Sequence, residues 1–340
     1  MFTKLIATIC YYMQLHRFAY YLNKNRKRII TFHNVLTDDV FVSNVANGVS
    51  NSLSQFKMII DEISKYFTFS LDIDDPKTIT ITFDDGYCNQ VEIAAPYLIK
   101  KGIPAYLFIC GQLYPNSDEI RNIKEYATKP LTVDLLLHWI SYVPNGTYNI
   151  CINNTEKEIE VSDSNRLEIW VGFIWPEFMK DSISKGRNLL DALNLSYPID
   201  NIMNALSPYY LKQRLGIATL EQINFISSKG WYISWHTFSH YPLSKLTLEE
   251  KIKELTPDNR IKSKVISYPY GGINEVDSEC LKIVEQLQYN TAVSNICKET
   301  LLSGKWFRSR MSLSPDPIML HFELSGLKHL IKYGKLLPKK

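Results

Sequence analysis

A chain of 340 residues can bury a substantial core, either as two ordinary domains or as one barrel-sized domain carrying insertions. Its 45% hydrophobic and 21% charged residues exclude a disordered or fibrous chain. With 38 Lys and Arg against 35 Asp and Glu, the net charge of +3 gives no electrostatic ground for nucleic-acid binding.

The apolar run 5–13 follows a single Lys4 and lacks a small-residue cleavage site before Gln14, His16 and Arg17. It is too short to span a bilayer. Residues 1–27 therefore read as an amphipathic helix that packs on the body or makes a peripheral membrane contact, with both readings open. The basic run 24–28 just before a strand reads as a solvated lead-in. Six cysteines form no CxxC pair, and Cys88 and Cys110 fall in apolar or site-proximal segments, as reduced thiols do. The expected location is cytoplasmic, with membrane association through the first helix as the variant.

Strand, helix and strand then alternate. The β-branched run 28–32 ends at His33, 54–66 has helical periodicity, and 78–83 is a dense strand signal that runs into Asp84-Asp85-Gly86. A helix over 91–101 stops at Gly102, and 105–110 is a further buried strand. This is the pattern of a parallel sheet. The rhythm lapses over 111–214, where a helix at 132–142 and a hairpin turning at Asn153-Asn154 read as an inserted, mostly helical subdomain. It resumes with a helix at 219–229, strands at 231–235, 264–268 and 291–294, and helices from about 247 and over 277–288. His138 reads as a helix-surface residue and Cys88 as packing.

Functional side chains in such folds collect at the carboxyl ends of strands. Three polar clusters fall there: Asp84-Asp85-Gly86, His236 to His240, and Pro269-Tyr270-Gly271. Two adjacent carboxylates repel, so a cation, strong hydrogen bonds or a raised pKa must offset the repulsion. Asp with His236 and His240 four positions apart suits Zn²⁺ or a similar divalent metal, Co²⁺ or Ni²⁺ included. Taken singly, Asp-Asp-Gly is an ordinary turn and the histidine pair ordinary packing. Adjacent Asp84 and Asp85 cannot straddle a glycosidic bond, where carboxylates stand roughly 5–10 Å apart.

Thr82-Phe83-Asp84-Asp85-Gly86 resembles the first motif of the polysaccharide deacetylases, carbohydrate esterase family four. His236-Thr237-Phe238-Ser239-His240 is similar to their second motif, and Ser267-Tyr268-Pro269-Tyr270-Gly271 to their third. The resemblance implies a distorted (β/α) barrel with fewer than eight strands and hydrolysis of acetyl groups on sugars. It implies Asp84 as general base and Asp85, His236 and His240 as metal ligands. Two departures stand out. Ser267 replaces the arginine that steadies the base, so Arg310, or its neighbour Arg308, is the candidate substitute. The acid, a histidine in a late Leu-x-His motif, falls on His321 in Met319-Leu320-His321. Tyr270, His33 and Trp235 are candidate substrate contacts, Trp235 with core packing as its rival.

The expected organisation is an N-terminal helix over 1–27, a barrel over 28–110 and 215–325, an insertion over 111–214 and a basic tail over 326–340. The expected substrate is an N-acetylated sugar of a surface polysaccharide or a lipid-linked precursor. An O-acetyl esterase and a catalytically weakened carbohydrate-binding relative are the alternatives. The oligomeric state is not legible.

Overall fold

The computed structural model describes residues 2–113, 130–298 and 300–338. The six expected runs form one parallel sheet: β1 (Arg28–Phe32), β2 (Thr78–Phe83), β3 (Ala105–Ile109), β4 (Tyr232–Trp235), β5 (Val265–Ser267) and β6 (Thr291–Val293). Spatial neighbours follow chain order, and the register aligns the strand ends: Phe32 pairs Phe83, Phe83 pairs Leu107, Ile109 pairs Trp235, and Ser267 pairs Val293. The residues just past each strand therefore meet on one rim.

Residues 308–311, which no strand pattern marked, lie between the two ends of the sheet. Arg308 bridges Val293 in parallel, and Met311 bridges Ile30 in parallel. Backbone bonds from Ser294 N to Arg308 O (2.8 Å) and from Met311 N to Ile29 O (2.9 Å) close a curled sheet into a distorted barrel with fewer than eight strands. A short strand Thr68–Phe69 pairs the first residues of β2 and marks the amino end of the barrel.

Helix starts follow from local chemistry. Capping boxes at Ser52/Gln55, Thr219/Gln222 and Thr247/Glu250 open Leu53–Ser64, Leu220–Ser228 and Leu248–Leu255; each such cap contributes about 1 kcal/mol. Within 111–214, residues 114–129 lie outside the described ones. The rest carries the helix Thr132–Tyr142, the hairpin Gly146–Ile152 with Thr155–Val161, and further helices. Its Leu136, Trp139, Ile150, Phe178 and Leu189 belong to the same buried cluster as the barrel strands, so this stretch shares the barrel's core.

Two expectations about the ends need correction. Residues 1–27 contain two helices, Phe2–Tyr12 and Leu15–Leu22, turning at Gln14 with φ 57°. The stretch read as a basic tail forms the helix Leu327–Tyr333, because Leu327 and Leu330 pack against the N-terminal hairpin.

Candidate active site

The rim at the carboxyl ends of the strands holds Asp84 and Asp85 after β2, Cys110 after β3, His236 after β4 and Ser267 at the end of β5. Asp85 (φ 82°), Thr237 (φ 64°), His240 (φ 55°) and Tyr270 (φ 57°) all take left-handed backbone conformations. Side-chain-bearing residues seldom do so, and such strain gathers at functional sites. Gly86 (φ 89°) lets the chain turn past Ile109, and Gly111 lies where a Cβ would come within 2.5 Å of the Trp235 and Phe238 rings.

Asp84 is fully buried and gripped by a guanidinium: Arg310 donates to Oδ1 at 2.8 Å and to Oδ2 at 2.6 Å. Arg310 also donates to Thr82 Oγ1, Ser267 Oγ, Asn295 Oδ1 and the Ser294 carbonyl, so all of its reach is used. Burial alone would raise the Asp84 pKa, but Arg310 overrides it and holds the carboxyl well below the usual range. The guanidinium thus arrives from the barrel-closing segment, and Ser267 serves it as a hydrogen-bond partner. Arg308 instead pairs with Asp74 at 2.7 Å and donates to Thr291 Oγ1, away from Asp84.

Asp85 is the opposite case. Burial, with the Asp84 and Asp134 charges adding to it, pushes its carboxyl up to about 7 against a lowering from His33. Its Oδ1 stands 3.6 Å from His236 Nε2 and 3.3 Å from His240 Nε2. Burial drives both imidazoles down, His236 to about 3 and His240 to about 4, so they stand neutral. His236 Nδ1 lies 2.8 Å from the Ser267 carbonyl, which fixes the proton there and leaves Nε2 with its lone pair. Asp85 Oδ1 and His236 Nε2 are both buried without a hydrogen-bond partner among the described residues. Two facing acceptors left bare inside a protein are costly unless a cation lies between them. A carboxylate and neutral imidazoles are the donors a divalent metal takes.

The cluster also contains a residue that the sequence reading passed over. Ligand atoms of Asp85, Cys110 and His236 all lie within 4.8 Å of one another. Burial and the two aspartate charges push the Cys110 thiol well above its ordinary pKa, and Sγ points at the His236 carbonyl at 3.7 Å. The only hint in the sequence was its place at a strand end.

The loop bearing the second motif is clamped from behind. Glu254 accepts from the backbone N–H of Phe238 (3.0 Å) and Ser239 (2.7 Å), and Lys185 of the insertion reaches it at 2.6 Å. Tyr270 places its hydroxyl 3.2 Å from His240 Nδ1.

A cavity of about 1150 Å³ opens above the rim, and His33, Asp85, His240 and Tyr270 line it. His33 Nε2 is 3.8 Å from Asp84 Oδ2. The insertion supplies Trp170 and Trp175 to the wall, with Trp175 edge-on to Tyr270 at 5.0 Å. It also supplies Asp134, whose ion pair with Arg214 (2.9 Å) is buried at the cavity wall. None of these four insertion residues was foreseen, because nothing in their local sequence marks them.

Two expected site residues lie elsewhere. Trp235 is buried beneath the rim, donates to the Glu254 carbonyl at 2.9 Å and packs on Gly111, so it is core. His321 points into the N-terminal hairpin: Nε2 meets Glu62 at 3.0 Å, Nδ1 meets the Tyr20 hydroxyl at 3.0 Å, and the rings of Tyr11, His16 and Tyr66 surround it. It sits on an apolar helix whose inner face packs on that hairpin, which draws it to the amino end. His138 is likewise buried rather than on a surface, between the Asp134 carbonyl and Tyr210.

Fold and rim together define a parallel α/β barrel with a buried carboxylate-imidazole centre below an open cavity. Residues 72–129 match the family model described as polysaccharide deacetylase. Among solved structures the chain is similar to a Streptococcus pyogenes deacetylase, PplD, in complex with acetate: 12% identity, 86% of this chain, 93% of that chain, TM-score 0.47. It is also similar to IcaB from Ammonifex degensii, at 12% identity, 88% and 97% coverage and TM-score 0.46. The BpsB deacetylase domain from Bordetella bronchiseptica matches at 10% identity, 84% and 95% coverage and TM-score 0.42. No curated protein matches the chain in sequence.

Proposed function

We propose that this protein is a metal-dependent hydrolase that removes acetyl groups from an N-acetylated sugar. The observation that carries the reading is the pair of bare acceptors, Asp85 Oδ1 and His236 Nε2, beside the arginine-clamped Asp84, at a rim where Asp85 and His240 line the cavity. Asp85, His236 and His240 hold the metal, Zn²⁺ by donor type, with Cys110 as the neighbouring soft donor. The bound cation supplies polarisation of the acetyl carbonyl and a more acidic water.

The chain's own groups do the rest. Arg310 keeps Asp84 ionised and oriented, so Asp84 takes the proton from the attacking water. His33 lines the cavity, with Nε2 3.8 Å from Asp84 Oδ2, and delivers a proton to the departing amine, the role that His321 is placed too far into the hairpin to fill. Trp170, Trp175 and Tyr270 form an aromatic wall suited to one face of a sugar ring. The domain reading follows: a barrel that performs the chemistry, and an insertion that shapes the substrate's entrance.

The test is acetate release from N-acetylated and O-acetylated glycans with Zn²⁺, Co²⁺ or Ni²⁺ added. Asp84→Asn is expected to keep the metal and lower release by about a thousandfold or more, and His33→Gln by about ten- to a hundredfold. Normal turnover in Asp84→Asn would show that another base operates. Release from O-acetylated glycans alone would make the protein an esterase.

A further inference from the structure

Large apolar side chains ordinarily turn inward, and small ones fill the space that remains. The N-terminal hairpin does the reverse. Ala7 and Cys10 of Phe2–Tyr12 and Ala19 of Leu15–Leu22 are buried against Phe322 and Leu327. Leu5, Ile9, Tyr12, Met13, Phe18 and Tyr21 are all half or more exposed. Leu5, Ile9, Tyr12 and Met13 recur at spacings of three and four, which makes one stripe along the first helix.

This face is held in place. Asn23 donates to the carbonyls of Ala19 and Ser325 and accepts from Leu337 N at 2.8 Å, while Lys4 pairs with Asp316 at 2.7 Å. The helix Leu327–Tyr333 packs beside Leu15–Leu22 and exposes Ile331 and Tyr333. Among the described residues no helix is long and apolar enough to cross a membrane.

The charge distribution selects the occupant. Residues 1–27 carry five basic side chains (Lys4, Arg17, Lys24, Arg26 and Lys27) and no acidic one; residues 326–340 carry five lysines and no acidic one. Removing these ten from 38 Lys and Arg leaves 28 basic against 35 acidic residues over the rest of the chain. All of the positive excess therefore belongs to two segments that touch each other. A second copy of the chain would bring like charge against like, which disfavours it.

We propose that this face docks on an anionic lipid bilayer. Leu5, Ile9, Met13 and Phe18 enter the boundary between headgroups and acyl chains, and Tyr12 and Tyr21 lie at headgroup level. Arg17, Lys24 and Lys332, all exposed, meet the anionic headgroups. Through Tyr20 the hairpin packs on Tyr66 and Phe67, just past the end of Leu53–Ser64, where the chain leads into Thr68–Phe69 at the amino end of the barrel. The cavity is at the carboxyl end, so the docked protein presents it away from the bilayer.

The experiment is co-sedimentation of the full chain with phosphatidylcholine vesicles, with and without a phosphatidylglycerol fraction, at low and high salt. Binding is expected to be about tenfold or more stronger with the anionic lipid and to weaken as salt rises. The double variant Ile9→Glu/Phe18→Glu is expected to lose about tenfold or more of that binding. Both positions are exposed, so its melting temperature and metal uptake should stay at the wild-type values. Equal binding to neutral and anionic vesicles, or full binding by the double variant, would overturn the proposal. So would self-association in sedimentation velocity that the double variant abolishes while vesicles capture nothing, since that would assign the face to a second copy.

Discussion

Two pairs of buried imidazoles occupy opposite ends of the barrel, and only one looks like a reaction centre. His236 and His240 have ring centroids 4.9 Å apart; His16 and His321 stand 5.2 Å apart. Each pair has a carboxylate within reach, Asp85 in one case and Glu62 in the other. The difference lies in hydrogen-bond saturation. Both nitrogens of His321 are engaged, and Glu62 also pairs with Lys65. His236 uses only Nδ1, and its bare Nε2 faces a bare carboxylate oxygen. A free nitrogen alone is not enough, for His16 Nδ1 is bare as well, yet its ring faces Tyr11 and His321 rather than an acid. Facing unpartnered acceptors mark the proposed metal centre; histidine pairs as such do not.

The largest expected effect breaks this contrast at the rim. His236→Ala should lower metal affinity by about a hundredfold or more, measured by competition with a chromophoric chelator, and acetate release should fall with it. His16→Ala should leave both unchanged. If the His236 variant keeps its metal, Cys110 and His240 would have to carry the ion instead.

Arg310→Lys comes next. A lysine cannot reproduce the forked contact to both Asp84 oxygens. Because Arg310 depresses the Asp84 pKa, its loss should move the acidic limb of the kcat/KM profile to higher pH and reduce the plateau by about ten- to a hundredfold. An unshifted limb would mean that Asp84 is not the titrating base. At the other end of the barrel, His321→Gln should leave kcat/KM near wild type. It should cost about 1–3 kcal/mol of stability in denaturant unfolding, since Glu62 loses a buried partner. Loss of turnover in well-folded protein would return His321 to the catalytic cycle.

The barrel was legible because its strands are dense β-branched or aromatic runs ending in polar clusters, as at 78–83 with Asp84 and at 231–235 with His236. Arg310 was legible only as one of two arginines. It took the closing segment, which lacks strand periodicity, to turn one toward Asp84 and the other toward Asp74. His321 misled because a three-residue motif says nothing about which helix face packs on what. Trp170, Trp175 and Asp134 were illegible for another reason: they reach the cavity through tertiary packing of the insertion, and no spacing in sequence encodes that approach.

The smallest effect concerns a further buried imidazole and sharpens the same contrast through stability. His138 is fully buried between the Asp134 carbonyl and Tyr210, and burial, followed by the Arg214 charge, lowers its pKa to about 4. In the unfolded chain it titrates near ~6.5. Between these values the unfolded state binds a proton that the folded state refuses, so stability is complete above ~6.5 and declines as pH falls towards 4. His236 and His240 act in the same direction, and a metal that excludes their protons from the folded state leaves that contribution in place. In denaturant unfolding His138→Gln should therefore flatten part of the acid slope between about pH 4 and ~6.5, and should do so equally with and without saturating metal. If His138→Gln left the slope unchanged, His138 would have to be protonated inside the fold, and its pairing with Tyr210 would need another account.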